Sequence, residues 1–351
     1  MSDFWLQSGI KNSFTYEMLD CQSLNTSYGF LEGVTSCKIT ESYESDTRVS
    51  GTLEVSGVRP GDGYAIRIRH KAECGGDTKE QVIGTFMVGS DSPKYLYGQY
   101  SGQINLVSML DRFSQDYVTS DIGVSGWNAC DWFEEKVTDG QGIAWVNPNV
   151  SRDSIMSDWV WEFGTSLLSA LFTCAEKING RVGVDELGRV TLNPYNAPSA
   201  LSSSFTIDGY TLSAGLERTD GDRVNRVGVK YQPSGDGETQ FATARLAATH
   251  EYSMEKLGRW LTKVYEVNQG ENDASTTAQE LADYYLSINN ATTHKWEGSG
   301  LYRPIACGEV GEINYLDTEE GTPLSFKALL RQKEYNLDAA METKYIFSQI
   351  S

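Results

Sequence analysis

Histidine is scarce: His70, His250 and His294 are the only 3 in 351 residues. None stands in an H-x-x-x-H or H-E-x-x-H spacing, which excludes the zinc-hydrolase arrangement in which two imidazoles share one helix face. Each reads as an ordinary surface or hydrogen-bonded residue. The 6 cysteines (Cys21, Cys37, Cys74, Cys130, Cys174, Cys307) contain no C-x-x-C pair, so paired-thiolate zinc binding has no ligand cluster. Their wide spacing does not match a disulfide-stapled secreted scaffold and predicts buried free thiols. No G-x-S-x-G elbow and no G-x-x-x-x-G-K-[ST] loop occurs, so the hydrolase nucleophile and the phosphate cradle both lack their signatures. No run approaches the roughly 18 apolar residues of a membrane helix. The opening Met1 to Gln7 has neither a basic region nor an apolar core, so neither an anchor nor a secretory leader is expected. Basic residues are also short: 29 Lys and Arg against 48 Asp and Glu leave a net charge of −19. A large DNA-gripping face needs clustered cations and is excluded, whereas DNA sliding past an acidic wall is not.

What the chain does have is alternation. Charged residues at 22% and aromatics at 11% are those of an ordered globular protein. Phe14, Tyr16 and Met18 alternate with Thr15 and Glu17. Tyr64, Ile66 and Ile68 alternate with Ala65, Arg67 and Arg69, and Val82, Gly84, Phe86 and Val88 make a third such run. This is the period of half-buried strands, and the turn chemistry between them (Arg59-Pro60-Gly61-Asp62-Gly63, Gly75-Gly76-Asp77) spaces them as in an antiparallel barrel or sandwich.

The middle of the chain is mixed. Leu167, Leu168, Leu171, Phe172, Ala175 and Ile178 form one stripe, predicting a helix over 165–178 that Asn179-Gly180 ends. A hairpin over 181–192 follows, turning at Asp185-Glu186-Leu187-Gly188. Val227, Val229 and Tyr231 signal renewed strands. Thr276-x-x-Gln279 fits a capping box for a helix over 276–290, with Ala278, Leu281, Ala282, Tyr285 and Ile288 inward. The last fifty or so residues read as strands again. The fold class is therefore mainly β: two related antiparallel β-barrel domains with smaller mixed α+β domains. The expected divisions are a first barrel (1–103), a mixed domain (104–205), and a second barrel (206–250 and 297–351) interrupted by an inserted segment (251–296).

Candidate chemistry is thin. Asp220, Asp222 and Asn225 offer oxygens to calcium, but the downstream acidic ligands of a calcium loop are missing, and a hairpin turn is the reading. With 48 acidic residues, some pair always lies close, so paired carboxylates carry no glycosidase signal. Trp127, Trp132, Trp145, Trp159 and Trp161 cluster in one segment; core or interface is the first reading and a carbohydrate platform the alternative. No catalytic, cofactor-binding or metal residue is nominated, and no enzyme activity is expected.

The order of segments resembles the hub proteins of phage tails, a family that spans contractile-tail hubs, siphophage tail tips and the base of type VI secretion spikes. Phe14-Thr15-Tyr16-Glu17-Met18, Gly29-Phe30-Leu31-Glu32-Gly33-Val34, Gly51-Thr52-Leu53-Glu54-Val55 and Ile83-Gly84-Thr85-Phe86-Met87-Val88 resemble its first barrel. Gly164 to Leu171 with Gly180 to Asp185 and Gly188 to Leu192 resembles the helix and hairpin of its second domain. Asn225-Arg226-Val227-Gly228-Val229 looks like the start of the second barrel, and Gly308-Glu309-Val310-Gly311-Glu312-Ile313 like its return. The resemblance implies a virion tail-tip or baseplate protein that assembles in the host cytoplasm. It implies a homotrimer whose six barrels match a sixfold tube to a threefold tip. The partners implied are the distal tail or tail tube protein, the C-terminus of the tape measure protein, and a tail fibre or spike. DNA would pass through the lumen at genome ejection without specific binding, and an Asp- and Glu-rich lumen is expected. The alternative is a receptor- or carbohydrate-binding tail protein.

Overall fold

The computed structural model describes residues 4–350 apart from 44, 62, 97–98, 124–125, 142–149, 151–159, 179, 195, 197, 209–211, 220–223, 233–237, 251, 269–276, 291 and 317–322. The mainly β class predicted from the alternation holds. Seven strands open the chain: β1 (Lys11–Asp20), β2 (Ser27–Phe30), β3 (Val34–Ser42), β4 (Val49–Gly57), β5 (Tyr64–Cys74), β6 (Asp77–Leu96) and β7 (Gln99–Ser108). Their inward residues, among them Ile39, Leu53, Ile66, Ile68, Phe86 and Ile104, meet in one core. Alternate positions carry Arg67, Arg69, Lys71 and Glu73 outward along β5. The period of two thus sorts one strand into two faces, as the sequence predicts.

The mixed segment runs α1 (Asp111–Ser114), β8 (Ile122–Gly123), α2 (Ala129–Gln141), β9 (Val160–Trp161), α3 (Leu167–Lys177), β10 (Gly180–Val184) and β11 (Val190–Pro194). α3 starts at Ser166, whose Oγ accepts from the Ser169 N–H at 3.2 Å, an N-cap that satisfies one of the orphan donors of the first turn. α2 was not foreseen from sequence. This unit packs on the outside of the first sheet, where Leu19 and Ala65 share a core with Met109, Phe133, Leu171, Val190 and Leu192. The hairpin tip is seated there. Gly188 has φ +83° and only 3.0 Å from its missing Cβ position to Leu24 and to Thr85, so a side chain has neither the conformation nor the room. Arg67 donates to the Leu187 carbonyl at 3.1 Å and Thr85 to that of Glu186 at 2.9 Å.

The remaining strands are β12 (Phe205–Asp208), β13 (Leu212–Thr219), β14 (Arg226–Gln232), β15 (Gln240–Arg245), β16 (Thr262–Asn268), β17 (Thr292–Leu301), β18 (Val310–Leu316), β19 (Pro323–Asn336) and β20 (Glu342–Ile350). Helices α4 (Met254–Leu257) and α5 (Ala278–Asn290) flank β16. β12, β13 and β17 to β20 enclose a second core of Phe205, Ile207, Trp296, Phe326, Leu330, Tyr345 and Phe347.

Two sequence expectations are corrected. β14 and β15, assigned from sequence to the second barrel, instead form a separate sheet in the order β15-β14-β16, covered by α5. Val227, Val229 and Tyr231 bury one face as their alternation requires, but against a helix. The capping box sits one residue later: the Thr277 N–H and hydroxyl donate to Glu280, and the Glu280 N–H returns to Thr277 Oγ1. Thr276 itself lies outside the described residues. No helix is long and apolar enough to cross a membrane among the described residues.

His70 lies in the first core, 1% exposed. Its Nε2 faces Asn12 Oδ1 at 2.9 Å and its Nδ1 accepts from Gln81 at 3.0 Å, with Phe14 stacked on the ring at 4.9 Å. This arrangement takes the neutral tautomer, and burial lowers the pKa from 6.5 to about 4. The unfolded chain takes up this proton at higher pH than the folded one, so stability falls as pH drops from 6.5 toward 4. The loss approaches about 3 kcal/mol at one pH unit per 1.36 kcal/mol. Urea unfolding midpoints compared at pH 7.5 and pH 4.5 should show this drop, and His70→Gln should remove most of it.

Candidate assembly surfaces

The two cores are not covered by separate sheets. β3 pairs antiparallel with β19, Ser42 opposite Gln332 through Lys38 opposite Asn336. That seam joins the strands into a 13-stranded sheet with the path β13-β17-β20-β19-β3-β4-β7-β6-β5-β1-β2. At its centre, Lys333 and Glu41 are register partners and both point inward. Lys333 is 3% exposed, and its Nζ lies 2.9 Å from Glu41 Oε1 and 2.9 Å from the Ile305 carbonyl. The Tyr335 hydroxyl donates to the same carboxylate oxygen at 2.7 Å. The rings of Tyr302 and Tyr335 stand 5.3 and 5.2 Å from the ammonium. Burial alone would pull the lysine pKa down; Glu41, with Tyr302 and Cys307 beside it, holds it above its ordinary value instead. The pair is charged, desolvated and hydrogen-bonded.

The mixed unit is fastened to the same seam. The Tyr43 N–H donates to the Arg331 carbonyl at 2.6 Å, and the Tyr43 carbonyl accepts from Arg48 and from Arg181. Arg48 also reaches the Val182 carbonyl at 3.2 Å. The Arg181 guanidinium stacks 3.3 Å from the Tyr43 ring centroid. Gly308, at φ +98°, lies against that ring: a Cβ would sit 2.5 Å from it. The three units leave a cleft of about 520 Å³ between them, bordered by Arg181, Tyr302, Cys307 and Lys333. The one cysteine among the described residues of the cleft is not activated. The Cys307 thiol donates to the Glu41 carbonyl at 3.5 Å, and burial pushes its pKa up to about 12, away from the thiolate.

The outward side of the seam sheet has a uniform chemistry. Across it, register aligns Asn336 and Glu334 of β19 with Lys38 and Thr40 of β3, then Thr52 and Ser50 of β4, then Asn105 and Val107 of β7. Lys38 pairs with Glu334 at 2.8 Å, and Lys344 of β20 pairs with Glu297 of β17. Short hydroxyl and amide side chains stand among them, and register adds the exposed Glu54 of β4 and Glu342 of β20 to the same face.

The residues singled out from sequence do not converge. His70 is in the first core. His250 and His294 both approach Tyr252, which donates its N–H to His250 Nδ1 at 3.2 Å and lies 3.0 Å from His294 Nδ1 through its hydroxyl. No group of three metal-ligating side chains occurs among the described residues. Asn225 is buried: its Nδ2 donates to Arg259 and its Oδ1 accepts from Leu261, fixing β14 to the start of β16. Asp220 and Asp222 lie outside the described residues. Trp132 and Trp161 stack in the core at 3.9 Å, Trp127 is exposed, and Trp145 and Trp159 lie outside the described residues. All six cysteines are free thiols. What sequence reading missed is the Lys333–Glu41 pair, which no local pattern announces.

Removing one partner of a buried pair leaves an uncompensated charge and costs about 3–5 kcal/mol. Lys333→Met and Glu41→Gln should each lower the unfolding free energy from urea titration by that much. The double variant should lose less than the sum of the two. Additive losses would show that the two groups are not coupled.

No family model matches the sequence, and no curated protein does. Solved structures do match. The tail protein from Neisseria meningitidis MC58 is 12% identical, with a TM-score of 0.63 over 96% of this chain and 97% of that one. The prophage MuSo2 43 kDa tail protein from Shewanella oneidensis is 14% identical, with a TM-score of 0.58 over 95% and 98%. A chain of the Francisella PdpA–VgrG complex is 9% identical, with a TM-score of 0.57; 98% of this chain covers 53% of that one. The chain has the fold of these tail proteins, which it shares with that secretion-complex chain.

Proposed function

We propose that the chain is a non-enzymatic hub or tail-tip protein of a bacteriophage tail or tail-like particle. In this reading it acts as a homotrimeric ring that joins a sixfold tube to a threefold tip. One observation carries the reading: two cores lie side by side under one continuous sheet, joined at β3–β19. A chain that presents two similar units in a row supplies six units from three copies, which is what a change from sixfold to threefold symmetry requires. The partners follow from the same reading: the distal tail or tube protein above, the tape measure C-terminus in the lumen, and a fibre or spike below.

The outward face of the seam sheet is assigned to the lumen. A surface of paired charges and short hydroxyls gives DNA phosphates no cluster of cations to hold, because cation contacts supply most sequence-independent affinity. Of the tryptophans on which the carbohydrate-binding alternative rests, Trp132 and Trp161 are committed to the core and Trp127 is exposed.

Sedimentation velocity with negative-stain imaging of the purified chain tests the ring. A trimer with a threefold outline and a hole wide enough for duplex DNA is expected. A compact monomer across the micromolar range overturns the reading.

A further inference from the structure

The open face of the β15-β14-β16 sheet has a chemistry unlike the rest of the chain. α5 covers the opposite face, over Val227, Val229 and Tyr231. Register puts Arg226, Gly228 and Lys230 of β14 on the open face, with Phe241 and Arg245 on one side and Val264 on the other. Phe241 is 75% exposed and Val264 is 68% exposed. Gly228 leaves the centre of the face without a side chain, and a Cβ there would meet only Val264 at 3.7 Å. The result is two apolar side chains beside a shallow notch, the kind of place in a strand where another chain approaches closely. Three cations stand around it against one carboxylate, Glu266, which lies 3.3 Å from Lys230.

Charge narrows the partner. Two copies of this face pressed together would oppose like charges, which disfavours a twofold, self-facing contact. Nucleic acid fits poorly as well. The Arg226 guanidinium lies over the Trp260 ring at 4.6 Å and donates to Thr262, and Lys230 is engaged by Glu266. Few cations remain to draw a polyanion to a chain of net charge −19. The fitting complement is a protein surface that carries carboxylates. Every copy of this chain supplies one, with 48 acidic residues against 29 basic.

We infer that an acidic surface of a second copy docks on this face head to tail, with Phe241 and Val264 as apolar anchors and Arg245 meeting a carboxylate. Contacts of that unlike-to-unlike kind close into rings or run on as filaments. The inference rests on the ring reading above for its choice of occupant.

Sedimentation velocity of the full chain at low and high salt, repeated for Phe241→Asp and Arg245→Glu, is the test. Both sites are on the surface, and circular dichroism melts matched to wild type verify that each variant folds; Arg245→Gln gives a milder second variant. Self-association weakened about tenfold or more in the variants, and weakened by salt in the wild type, is expected. Wild-type association that both variants retain overturns this contact and leaves the ring standing. Open chains that depend on Phe241 and Arg245 keep the contact and overturn the threefold ring. A wild type that stays monomeric overturns both. Retention of a single-stranded oligonucleotide that Arg245→Glu abolishes, with self-association unchanged, overturns it in favour of nucleic acid.

Discussion

Every larger feature of this protein depends on the antiparallel contact between β3 and β19, with Lys333 and Glu41 buried at its centre. Ionised groups in a core are costly unless each is matched and its remaining hydrogen-bonding capacity is filled. Here the ammonium has a carboxylate, a carbonyl and two aromatic faces, and the carboxylate has a phenol. Satisfying both groups requires one register. A slip of a single residue would turn Lys333 and Glu41 to opposite faces and leave each uncompensated. The pair therefore contributes more to the alignment of the two halves than to their cohesion, which the apolar cores supply.

That alignment sets the neighbouring parts. Tyr43, just past the end of β3, takes the Arg331 carbonyl with its N–H and offers its own carbonyl to Arg48 and Arg181. One backbone segment thus touches Arg48 beside β4, Arg331 of β19 and the β10–β11 hairpin. The outward face inherits the same order. Lys38 can pair with Glu334 only because the inward residues between them fix the strands.

Much of the local structure was legible because its signals are local. The alternation in β1 and β5 and the apolar stripe of α3 report which face is buried, whatever buries it. That limit explains the errors. Val227, Val229 and Tyr231 show that β14 has one dry face, but a helix and a second sheet produce the same pattern, so the choice of α5 was invisible. Two adjacent threonines, Thr276 and Thr277, each have an acceptor three residues on, and spacing alone does not choose between them. The seam was hidden for two reasons. Its partners are almost 300 residues apart, and the bulge between Leu330 and Gln332 shifts the alternation so that a lysine falls on the inward side. A tryptophan cluster likewise says nothing about exposure: Trp132 stacks on Trp161 in the core, whereas Trp127 is exposed.

The placement of β19 has a consequence for synthesis. β3 is made early, and its hydrogen-bonding edge toward β19 has no partner until Pro323–Asn336 has been translated. Closing so long a loop is slow, and an open strand edge is an invitation to pair with the wrong chain. A ribosome product that stops short of β19 carries that edge bare, with Glu41 lacking its lysine. Such a product exposes an edge prone to mispairing and a carboxylate without its counter-charge.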